Sequence, residues 1–381
     1  MSLADLVRPG HRVALADGVG CPVSVLPELS QAAAQAGDVD LLLCWATEPL
    51  AGLDLASFVR VRTFMAGFGL RADVDAGRVG YIPTRLSVVP ALLRGPLRPD
   101  VVVASVVATP SGWVLGTEVG WVRAAVDAGA RVAGVERSAV PGLDVGPPLP
   151  AEQLTLVGSS SEPPLPYAWA TPSPVDREIA ARVAALIPAG ARVQHAPGPL
   201  GTAVIDALEV PVGLDTGIIT EAAMGLERRG LLLGRALTPW VAGTPDLYEW
   251  CVGNVDVDRL ERTHDPVRLG KGSPFVAVNT ALEVDHDGQV NVEAAGGSAV
   301  AGIGGQPDYA LGAARSAGGL SVVAVPTRRG EHRTLVERLS GPASTPSHDI
   351  DVIVTEHGTA DLRGLDRAER RRRIDHLWGA A

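Results

Sequence analysis

Hydrophobic and polar positions along the first half of the chain fall into blocks typical of a parallel α/β sheet. Residues 101–108, VVVASVVA, form a nearly unbroken apolar run, as expected of a strand buried on both faces. Similar shorter runs are separated by stretches with helical spacing. The pattern predicts strands at residues 11–16, 39–45, 100–108 and 131–135, and helices at residues 23–36 and 118–128. Alternation of this kind predicts a sheet with helices on both faces.

A segment rich in proline and serine, residues 147–174, separates the two halves of the chain. It includes GSSSEPPLPYAWATPSP, which is poor material for a helix or a central strand. We therefore predict two domains, at residues 1–165 and 166–381. The second repeats the alternation, with predicted helices at 175–186, 202–208, 247–252, 308–316 and 367–377, and strands at 192–195, 320–326 and 350–355.

The most specific pattern is residues 279–309, NTALEVDHDGQVNVEAAGGSAVAGIGGQPDY. Two extended runs, residues 275–284 and 289–293, flank the sequence DHDG, which predicts a hairpin because Asp and Gly tolerate tight turns. A glycine-rich loop follows and leads into a predicted helix that begins near Pro307. Glycines in such a loop let the main chain approach a ligand and direct its N–H groups at an oxygen atom.

Composition and charge narrow the function. Of the 381 residues, 46% are hydrophobic and 20% charged, as in a folded protein. A net charge of −10 and an aromatic content of 4% argue against nucleic-acid binding, which needs a basic face or stacking platforms. Cys21, Cys44 and Cys251 are widely spaced, which fits a reducing compartment. With no signal-peptide pattern and no run of 18 apolar residues, we expect a cytoplasmic protein without a membrane span.

Several kinds of chemistry lack their motifs. Lys271 is the only lysine, and its surroundings, LGKGS, lack the first glycine of a phosphate-binding P-loop. The eight histidines show no metal-ligand spacing, so we expect no metal site. Neither a serine-hydrolase elbow nor a convincing dinucleotide-binding loop is present.

The hairpin and glycine block, together with DVIVTEHGTADLRG at residues 351–364 and TPDLYEW at 244–250, resembles the acetyl-CoA hydrolase / 4-hydroxybutyrate CoA-transferase family. The Gly-Ile-Gly-Gly-Gln loop of that family is matched by Gly302 to Gln306. The resemblance covers most of the chain. It implies two tandem α/β domains with mainly parallel sheets that face each other across a cleft.

The resemblance also implies a reaction. A glutamate carboxylate attacks an acyl-CoA thioester and becomes an enzyme-bound glutamyl-CoA, which a small carboxylic acid or water then resolves. Coenzyme A is then a substrate, and no tightly bound cofactor is expected. The implied partners are acyl-CoA and a small carboxylic acid, with no nucleic acid and no membrane, and the implied assembly is a homodimer.

The nucleophile is ambiguous. An ungapped alignment from Gly230 places the family glutamate at Gly217, which has no carboxylate, and we prefer this alignment. A deletion of four residues, one helical turn, would instead place the glutamate at Glu221. Asp215 is a third candidate, because residues two apart on a strand share a face and stand roughly 6–7 Å apart.

The candidate CoA-binding residues are Gly302, Gly304, Gly305 and Gln306, together with Gly198 in the loop HAPGP. Where this chain has HAPGP, relatives have a Gly-Ile-Gly loop. Only the second glycine of that loop is retained here, as Gly198. After the strand predicted at 320–326, Arg328, Arg329 and Arg333 are candidates for neutralising CoA phosphates. His357, within TEHGTADL, is interpreted as part of the site architecture.

Two hypotheses follow. In the first, the chain is a CoA-transferase or acyl-CoA hydrolase with its thioester near residues 302–306 and 215–221. In the second, it binds CoA or acyl-CoA without glutamyl chemistry, as a regulatory protein or subunit.

Overall fold

The computed structural model describes residues 2–164 and 166–379; Leu165, where the predicted first domain ends, lies outside the described residues. Two compact units are present. One runs up to Tyr167 and includes Pro239–Glu261, and the other contains Ala168–Thr238 and continues from Arg262 onward. The division into domains at 1–165 and 166–381 remains a prediction, because compactness alone does not test which part folds by itself.

The helices and strands largely follow the predicted alternation. In the first 160 residues they are α1 (Leu3–Leu6), β1 (Arg12–Leu15), α2 (Leu26–Ala36), β2 (Asp40–Leu43), β3 (Arg60–Thr63), α3 (Arg71–Asp75), β4 (Gly80–Tyr81), α4 (Val89–Arg94), β5 (Val101–Thr109), β6 (Gly112–Leu115), α5 (Val122–Asp127), β7 (Arg131–Arg137) and β8 (Leu154–Ser160). The next elements are α6 (Pro174–Ala184), β9 (Arg192–His195), α7 (Pro199–Asp206), β10 (Gly213–Leu214), α8 (Glu221–Arg228), β11 (Ala236–Thr238), α9 (Pro245–Asn254), β12 (Val255–Val257), α10 (Leu260–Thr263) and α11 (Pro266–Leu269). The last are β13 (Phe275–Asn279), β14 (Glu283–Asp285), β15 (Val290–Asn291), β16 (Ala294–Ala295), β17 (Ser298–Ala299), α12 (Gln306–Arg315), β18 (Leu320–Ala324), β19 (Arg328–Arg329), β20 (His332–Arg333), β21 (Leu335–Val336), β22 (Val352–Thr355), β23 (Gly358–Asp361) and α13 (Arg367–Leu377).

The first unit is built on a sheet with the strand order β4-β3-β2-β1-β5-β7-β8, and β6 pairs with the end of β5. Every neighbouring pair in that series is parallel, and only the β5–β6 pair is antiparallel. The core packs Leu26 and Leu29 of α2 against strand residues such as Val13 and Val101. The predicted parallel α/β class is confirmed in this unit.

The second unit has the strand order β10-β9-β13-β18-β22-β23. The first five strands are parallel and β23 is antiparallel to β22. The order of the chain reverses between β9 and β13. In open α/β sheets, ligands bind beyond the carboxyl ends of the strands at such a reversal. Residues after β9, β10 and β13 therefore lie along the edge where a ligand is expected.

Helix α12 connects to the same edge. It packs on β13 and β18 and its carboxyl end leads directly into the start of β18. Its first turn is therefore near the carboxyl ends of the strands. Phe275 and Ala277 of β13 form a small apolar core with Tyr309 and Ala313 of α12, which fixes the helix on the sheet.

The prediction of one extended run at residues 275–284 was wrong. Phe275–Asn279 is a central strand that pairs with β9 and β18, whereas Glu283–Asp285 belongs to a separate hairpin. In that hairpin, Val284 lies opposite Val290, as the DHDG turn predicts. A continuous apolar pattern does not reveal where the backbone changes its pairing partners.

Several predicted helix starts were also misplaced, by two to four residues. The helix predicted at 118–128 begins at Val122, because the N–H groups of Val119 and Gly120 donate to the Pro239 carbonyl and Gly120 has φ +27°. The helix predicted at 202–208 begins earlier, at Pro199, since proline fits the first position of a helix. Within residues 2–164 and 166–379, no helix combines the length and hydrophobicity that crossing a bilayer requires.

Candidate functional site

The glycine loop before α12 forms the centre of the candidate site. Gly302 is buried, and Gly304 has φ +64°, a left-handed conformation that favours glycine. Gly305 occupies the N-cap position and Gln306 is the first helical residue. The first turn of a helix presents N–H groups without intrahelical partners, and its dipole favours a negative charge there. This loop can therefore hold an oxygen that carries negative charge.

Gly305 is required because space is short. Its φ of −91° suits any residue, but a Cβ atom there would lie 2.3 Å from Nε2 of His264 and 3.0 Å from Cε2 of Tyr309. The two rings pack together with their centroids 4.6 Å apart. Burial lowers the pKa of His264 to about 3, so its imidazole is neutral near pH 7. The absent side chain lets the loop sit directly on this pair.

Two polar groups on α12 have no hydrogen-bond partner among the residues that the structure describes. The Tyr309 side chain is almost fully buried, and its hydroxyl makes no hydrogen bond within the described residues. Nε2 of Gln306 is likewise shielded from solvent and has no acceptor in the described part of the chain. Burial raises the pKa of Tyr309 well above its usual value, so the hydroxyl keeps its proton and remains a donor.

The segment after β10 faces the same tyrosine. A Cβ atom at Gly217 would lie 3.6 Å from Cε2 and 3.7 Å from the hydroxyl oxygen of Tyr309. These are ordinary contact distances, and Gly217 is not among the glycines with a positive φ. A residue with a Cβ atom would therefore fit at position 217, because there is room for that atom and the backbone conformation allows it.

Asp215 is held by arginines. Arg268 donates to both its carboxylate oxygens, at 2.7 and 2.8 Å, and Arg192 donates to Oδ2 at 3.2 Å. The Asp215 side chain is only 5% exposed, so this is a nearly buried ion pair. Three charge-assisted hydrogen bonds occupy the carboxylate and connect β10 to α11 and β9.

Removal of Arg268 is expected to destabilise the chain. Arg268→Leu leaves Asp215 buried beside Arg192 alone, and breaking a buried pair costs about 3–5 kcal/mol, with the lower end expected here because Arg192 remains. Chemical denaturation should show this loss. The double variant Arg268→Leu/Asp215→Leu should recover much of the lost free energy of unfolding. Arg367→Leu, at a side chain that is 88% exposed, should change the free energy of unfolding little. A single variant as stable as the wild type would contradict this account of the pair.

Glu221 begins α8. It is half-buried and follows Thr220, the N-cap residue of that helix. An acidic residue in the first turn is stabilised by the helix dipole whether or not it reacts. Gly217 and Glu221 thus differ in setting, because the former lies against Tyr309 and the latter lies at a helix start.

Gly198 terminates the loop after β9. Its φ of +105° and ψ of −176° are accessible to glycine but strained for other residues, and it is the N-cap of α7. Gly201 lies so close to the preceding loop that a Cβ atom would be 1.8 Å from the Ala196 carbonyl oxygen. The adjacent His195 is buried, which lowers its pKa to about 4. The loop HAPGP is therefore tightly packed.

The arginines predicted to bind phosphate lie on an exposed hairpin formed by β19 and β20. Arg328, Arg329 and Arg333 each donate to one backbone carbonyl, of Glu331, Ala281 and Trp378 respectively. His357 lies in the turn between β22 and β23, where its N–H donates to the Thr355 hydroxyl. Their roles remain predictions.

A second group of buried polar residues lies in the first unit, after β1. Asp17 accepts hydrogen bonds from the indoles of Trp121 and Trp240, and Glu118 accepts from the Gly20 N–H at 2.7 Å and the Thr117 hydroxyl at 2.6 Å. Burial raises the pKa of Asp17, and it raises the pKa of Glu118 to about 8. Glu118 is therefore protonated in the folded chain at neutral pH.

This protonation predicts a pH dependence of stability. Glu118 has an ordinary pKa of 4.5 when unfolded and about 8 when folded, so its stabilising contribution decreases as pH rises between these values. Nearby Asp17 strengthens the shift and Arg137 opposes it. Between pH 6.5 and 8 the wild type should lose up to about 2 kcal/mol that Glu118→Gln does not lose. In parallel unfolding titrations the stability of the wild type should fall more steeply than that of the variant up to about pH 8, and the two slopes should be equal above it. Identical slopes below pH 8 would contradict the assignment.

Sequence reasoning did not identify Arg192, Arg268, Tyr309 or His264 as residues of this site. Tyr309 follows Gln306 by three positions, which places both on one face of a helix and was the only available signal. Nothing local marks His264 or Arg268. All three free cysteines, Cys21, Cys44 and Cys251, are buried.

The fold is CoA-transferase-like: it has two α/β units, each built on a mainly parallel sheet, and a glycine loop at a helix start. Residues 243–376 match the family described as the acetyl-CoA hydrolase/transferase C-terminal domain. The chain is 26% identical to 4-hydroxybutyrate coenzyme A transferase from Clostridium kluyveri, over 84% of this chain and 79% of the relative. It is 25% identical to the succinyl-CoA:acetate/propanoyl-CoA:succinate CoA transferase of Fasciola hepatica, over 96% and 81%. The predicted resemblance is confirmed: the chain is a divergent relative of the acetyl-CoA hydrolase / 4-hydroxybutyrate CoA-transferase family.

Solved structures share the fold. RipA from Yersinia pestis aligns over 98% of this chain and 94% of its own with a TM-score of 0.87 and 22% identity. A 4-hydroxybutyrate CoA-transferase from Porphyromonas gingivalis aligns over 98% and 92% with a TM-score of 0.76 and 24% identity.

Proposed function

We propose that this chain is an acyl-CoA-processing enzyme that moves CoA between an acyl-CoA and a small carboxylic acid, or hydrolyses acetyl-CoA. The observation that carries this proposal is the glycine loop, Gly302 to Gln306. It lies within the segment that matches the acetyl-CoA hydrolase/transferase C-terminal domain, and it starts a helix at the carboxyl edge of a parallel sheet. Relatives named as CoA-transferases align with more than four fifths of the chain.

In this proposal the acyl-CoA thioester lies against Gly302, Gly304, Gly305 and Gln306. Main-chain N–H groups at the start of α12 would stabilise the negative oxygen of the tetrahedral intermediate, because the helix dipole adds to their hydrogen bonds. Gly198, at the start of α7, is the other proposed CoA contact. CoA is bound as a substrate and no resident cofactor is required. A homodimer in the cytoplasm belongs to the same proposal, and sedimentation of the pure chain at a monomer mass would remove the dimer.

For the nucleophile we propose Glu221. Both oxygens of Asp215 already accept hydrogen bonds from arginines, and Asp215 is proposed to position α11 beside the site. Glu221 is half-buried, at the end of the segment that starts beside Tyr309. Its carboxylate would attack the thioester carbon, break the carbon–sulfur bond and release CoA thiolate, leaving a glutamyl–acyl anhydride. The thiolate would then attack the glutamyl carbonyl and expel the acyl group as a carboxylate, giving glutamyl-CoA.

Covalent trapping tests this proposal. The wild-type chain is incubated with acetyl-CoA, treated with borohydride or hydroxylamine, and analysed by intact and peptide mass spectrometry. A modification that maps to Glu221 supports the enzyme. A modification at Asp215 would reassign the nucleophile, and tight acetyl-CoA binding without modification or turnover would contradict the covalent route.

A specific observation favours a second candidate function. On the ungapped alignment the family glutamate falls at Gly217, and that glycine faces Tyr309 without any structural need for a missing side chain. A chain that has lost its nucleophile in this way would bind CoA or acyl-CoA as a regulatory protein or subunit. The trapping experiment separates the two functions, because only the enzyme forms an adduct.

A further inference from the structure

The edges of the two sheets differ in how well they are protected from pairing with another chain. Native proteins protect an exposed sheet edge by keeping the edge strand short or by giving it charge. The sheet of the first unit ends at β4 and β8, and that of the second unit ends at β10 and β23. Strands β4 and β10 have only two residues each, and β23 carries Asp361 in an ion pair with Arg363. Strand β8 has seven residues and no charged side chain, so it is the least protected of these four edges.

The outer side of β8 is open. All seven of its residues, LTLVGSS, are at least partly exposed, and Leu156 is 39% exposed. The Val132 N–H donates to the Gln153 carbonyl, so Gln153 faces β7. Because backbone groups alternate in direction along a strand, those of Leu154 and Leu156 face outward. Neither residue makes a backbone hydrogen bond on that outer side within the part of the chain that the structure describes.

The regular part of this edge is short. After Leu156 the pairing between β7 and β8 shifts by one residue, and such a shift limits pairing beyond it. The side chains of Leu154 and Leu156 lie on one face of the sheet. A Cβ atom at Gly134 of β7 would lie 2.7 Å from Cδ1 of Leu154 and 3.3 Å from Cδ2 of Leu156. A strand laid along residues 153–156 would therefore cover the exposed part of Leu156.

A second copy of this chain fits the edge better than another partner does. Residues 153–161, QLTLVGSSS, contain no charged residue, so two identical strands meet without repulsion, and a partner selected by charge finds no group to recognise. Two copies of β8 in antiparallel orientation are related by a twofold axis, and each supplies the hydrogen bonds that the other lacks. This arrangement is closed, because it uses both β8 edges and leaves neither for a third chain.

We propose that β8 pairs with β8 of a second copy in antiparallel orientation, so that the sheets of the two first units form one continuous sheet across the dimer. This inference rests on the homodimer of the proposed function and gives that dimer its interface. Leu156 lies at the centre of the interface, where it packs against the leucines of the second copy.

A charge at position 156 tests the interface. Leu156→Lys places two like charges close together across the twofold axis, and it should weaken dimerisation by about 100-fold or more. The measurement is sedimentation velocity of the full chain over a range of concentrations. Val59→Lys, at a valine of the first unit that is 62% exposed, should leave the dimer unchanged. Both variants should melt near the wild-type temperature, because both positions are on the surface.

A mixing experiment keeps the test independent of how a single variant folds. Leu156→Glu alone should also be monomeric, whereas an equimolar mixture of Leu156→Lys and Leu156→Glu should form a heterodimer, because the two charges then attract each other. A mixture that stays monomeric, a dimer that survives Leu156→Lys, or equal dissociation by Val59→Lys would overturn the assignment. A wild type that sediments as a monomer would also overturn it, whether its β8 edge stays open or takes a strand from another protein.

The outcomes separate this inference from the proposed function. A wild type that turns over acetyl-CoA as a monomer, or as a dimer that is insensitive to Leu156→Lys, would remove this interface and leave the enzyme. A dimer that dissociates only in the Leu156 variants, in a chain that neither binds nor turns over acyl-CoA, would retain the interface and remove the enzyme.

Discussion

Glu221→Gln is expected to lower acyl-CoA turnover by at least about 1000-fold and to eliminate the covalent adduct. An amide keeps the shape of the side chain but is not a nucleophile, so the step that forms the anhydride is lost. Stability should decrease by about 1 kcal/mol or less, the size of the interaction of an acid with the helix dipole. Steady-state kinetics with acetyl-CoA and acetate, together with intact mass, provide the measurement.

Glu227→Gln is the matched control for this experiment. Glu227 lies on the same helix, is exposed, and undergoes the same chemical change. Its activity should stay within about twofold of the wild type, as expected of a surface position away from the reacting atoms. Full activity in Glu221→Gln would reject Glu221 as the nucleophile. An equal loss in both variants would indicate a general effect on α8 instead of a chemical one.

Gly305→Ala is expected to reduce activity by roughly 100- to 1000-fold, the range found when one oxyanion donor is lost. The new Cβ atom would lie 2.3 Å from His264 Nε2 and 2.5 Å from Cδ2, well inside van der Waals contact. His264 is buried and hydrogen-bonded to the Thr263 hydroxyl at 2.9 Å, so it resists displacement. The loop should move instead, which misaligns its N–H groups. Overpacking of this kind typically costs about 1–3 kcal/mol in stability.

Gly225→Ala controls for the glycine-to-alanine change. Gly225 lies inside α8 with no positive φ, and the nearest atom to a new Cβ would be Oδ1 of Asp206 at 3.9 Å. This variant should retain activity and gain up to about 1 kcal/mol, because alanine favours the helix. A Gly305→Ala protein with normal kinetics for acyl-CoA would show that the contact with His264 does not govern the site.

Elements with strong local patterns were predicted well. The apolar run at 101–108 is the central strand Val101–Thr109, and the DHDG turn joins β14 to β15. Errors occurred where long-range pairing overrides local pattern. Residues 275–284 split between two sheets, and the helix expected from Glu118 starts later because Val119 and Gly120 donate to Pro239. Pro239 is about 120 positions further along the chain, so the hydrophobic spacing near Glu118 cannot show this contact.

The residues of the candidate site also divide into those that a local sequence pattern predicts and those that only long-range contacts reveal. Glycines 302, 304 and 305 were identified from the sequence because a cluster of glycines before a helix has a local physical meaning. The neighbouring His264, Arg268 and Tyr309 were not, since their importance comes from contacts with Gly305 and Asp215. The expectation that Asp215 and residue 217 share one face of a strand stays a prediction, because β10 ends at Leu214, before both residues.

The sequence by itself determined the α/β class, the hairpin with its glycine loop and the family resemblance, because these depend on residues close together in the chain. Tertiary structure alone decided that Asp215 is bound by two arginines, that Gly305 must be small, and that a buried tyrosine hydroxyl faces Gly217. Each of these depends on burial and on distances between segments that are remote in sequence. Hydrophobic periodicity records which side of an element faces the core, but not which side chain it meets there.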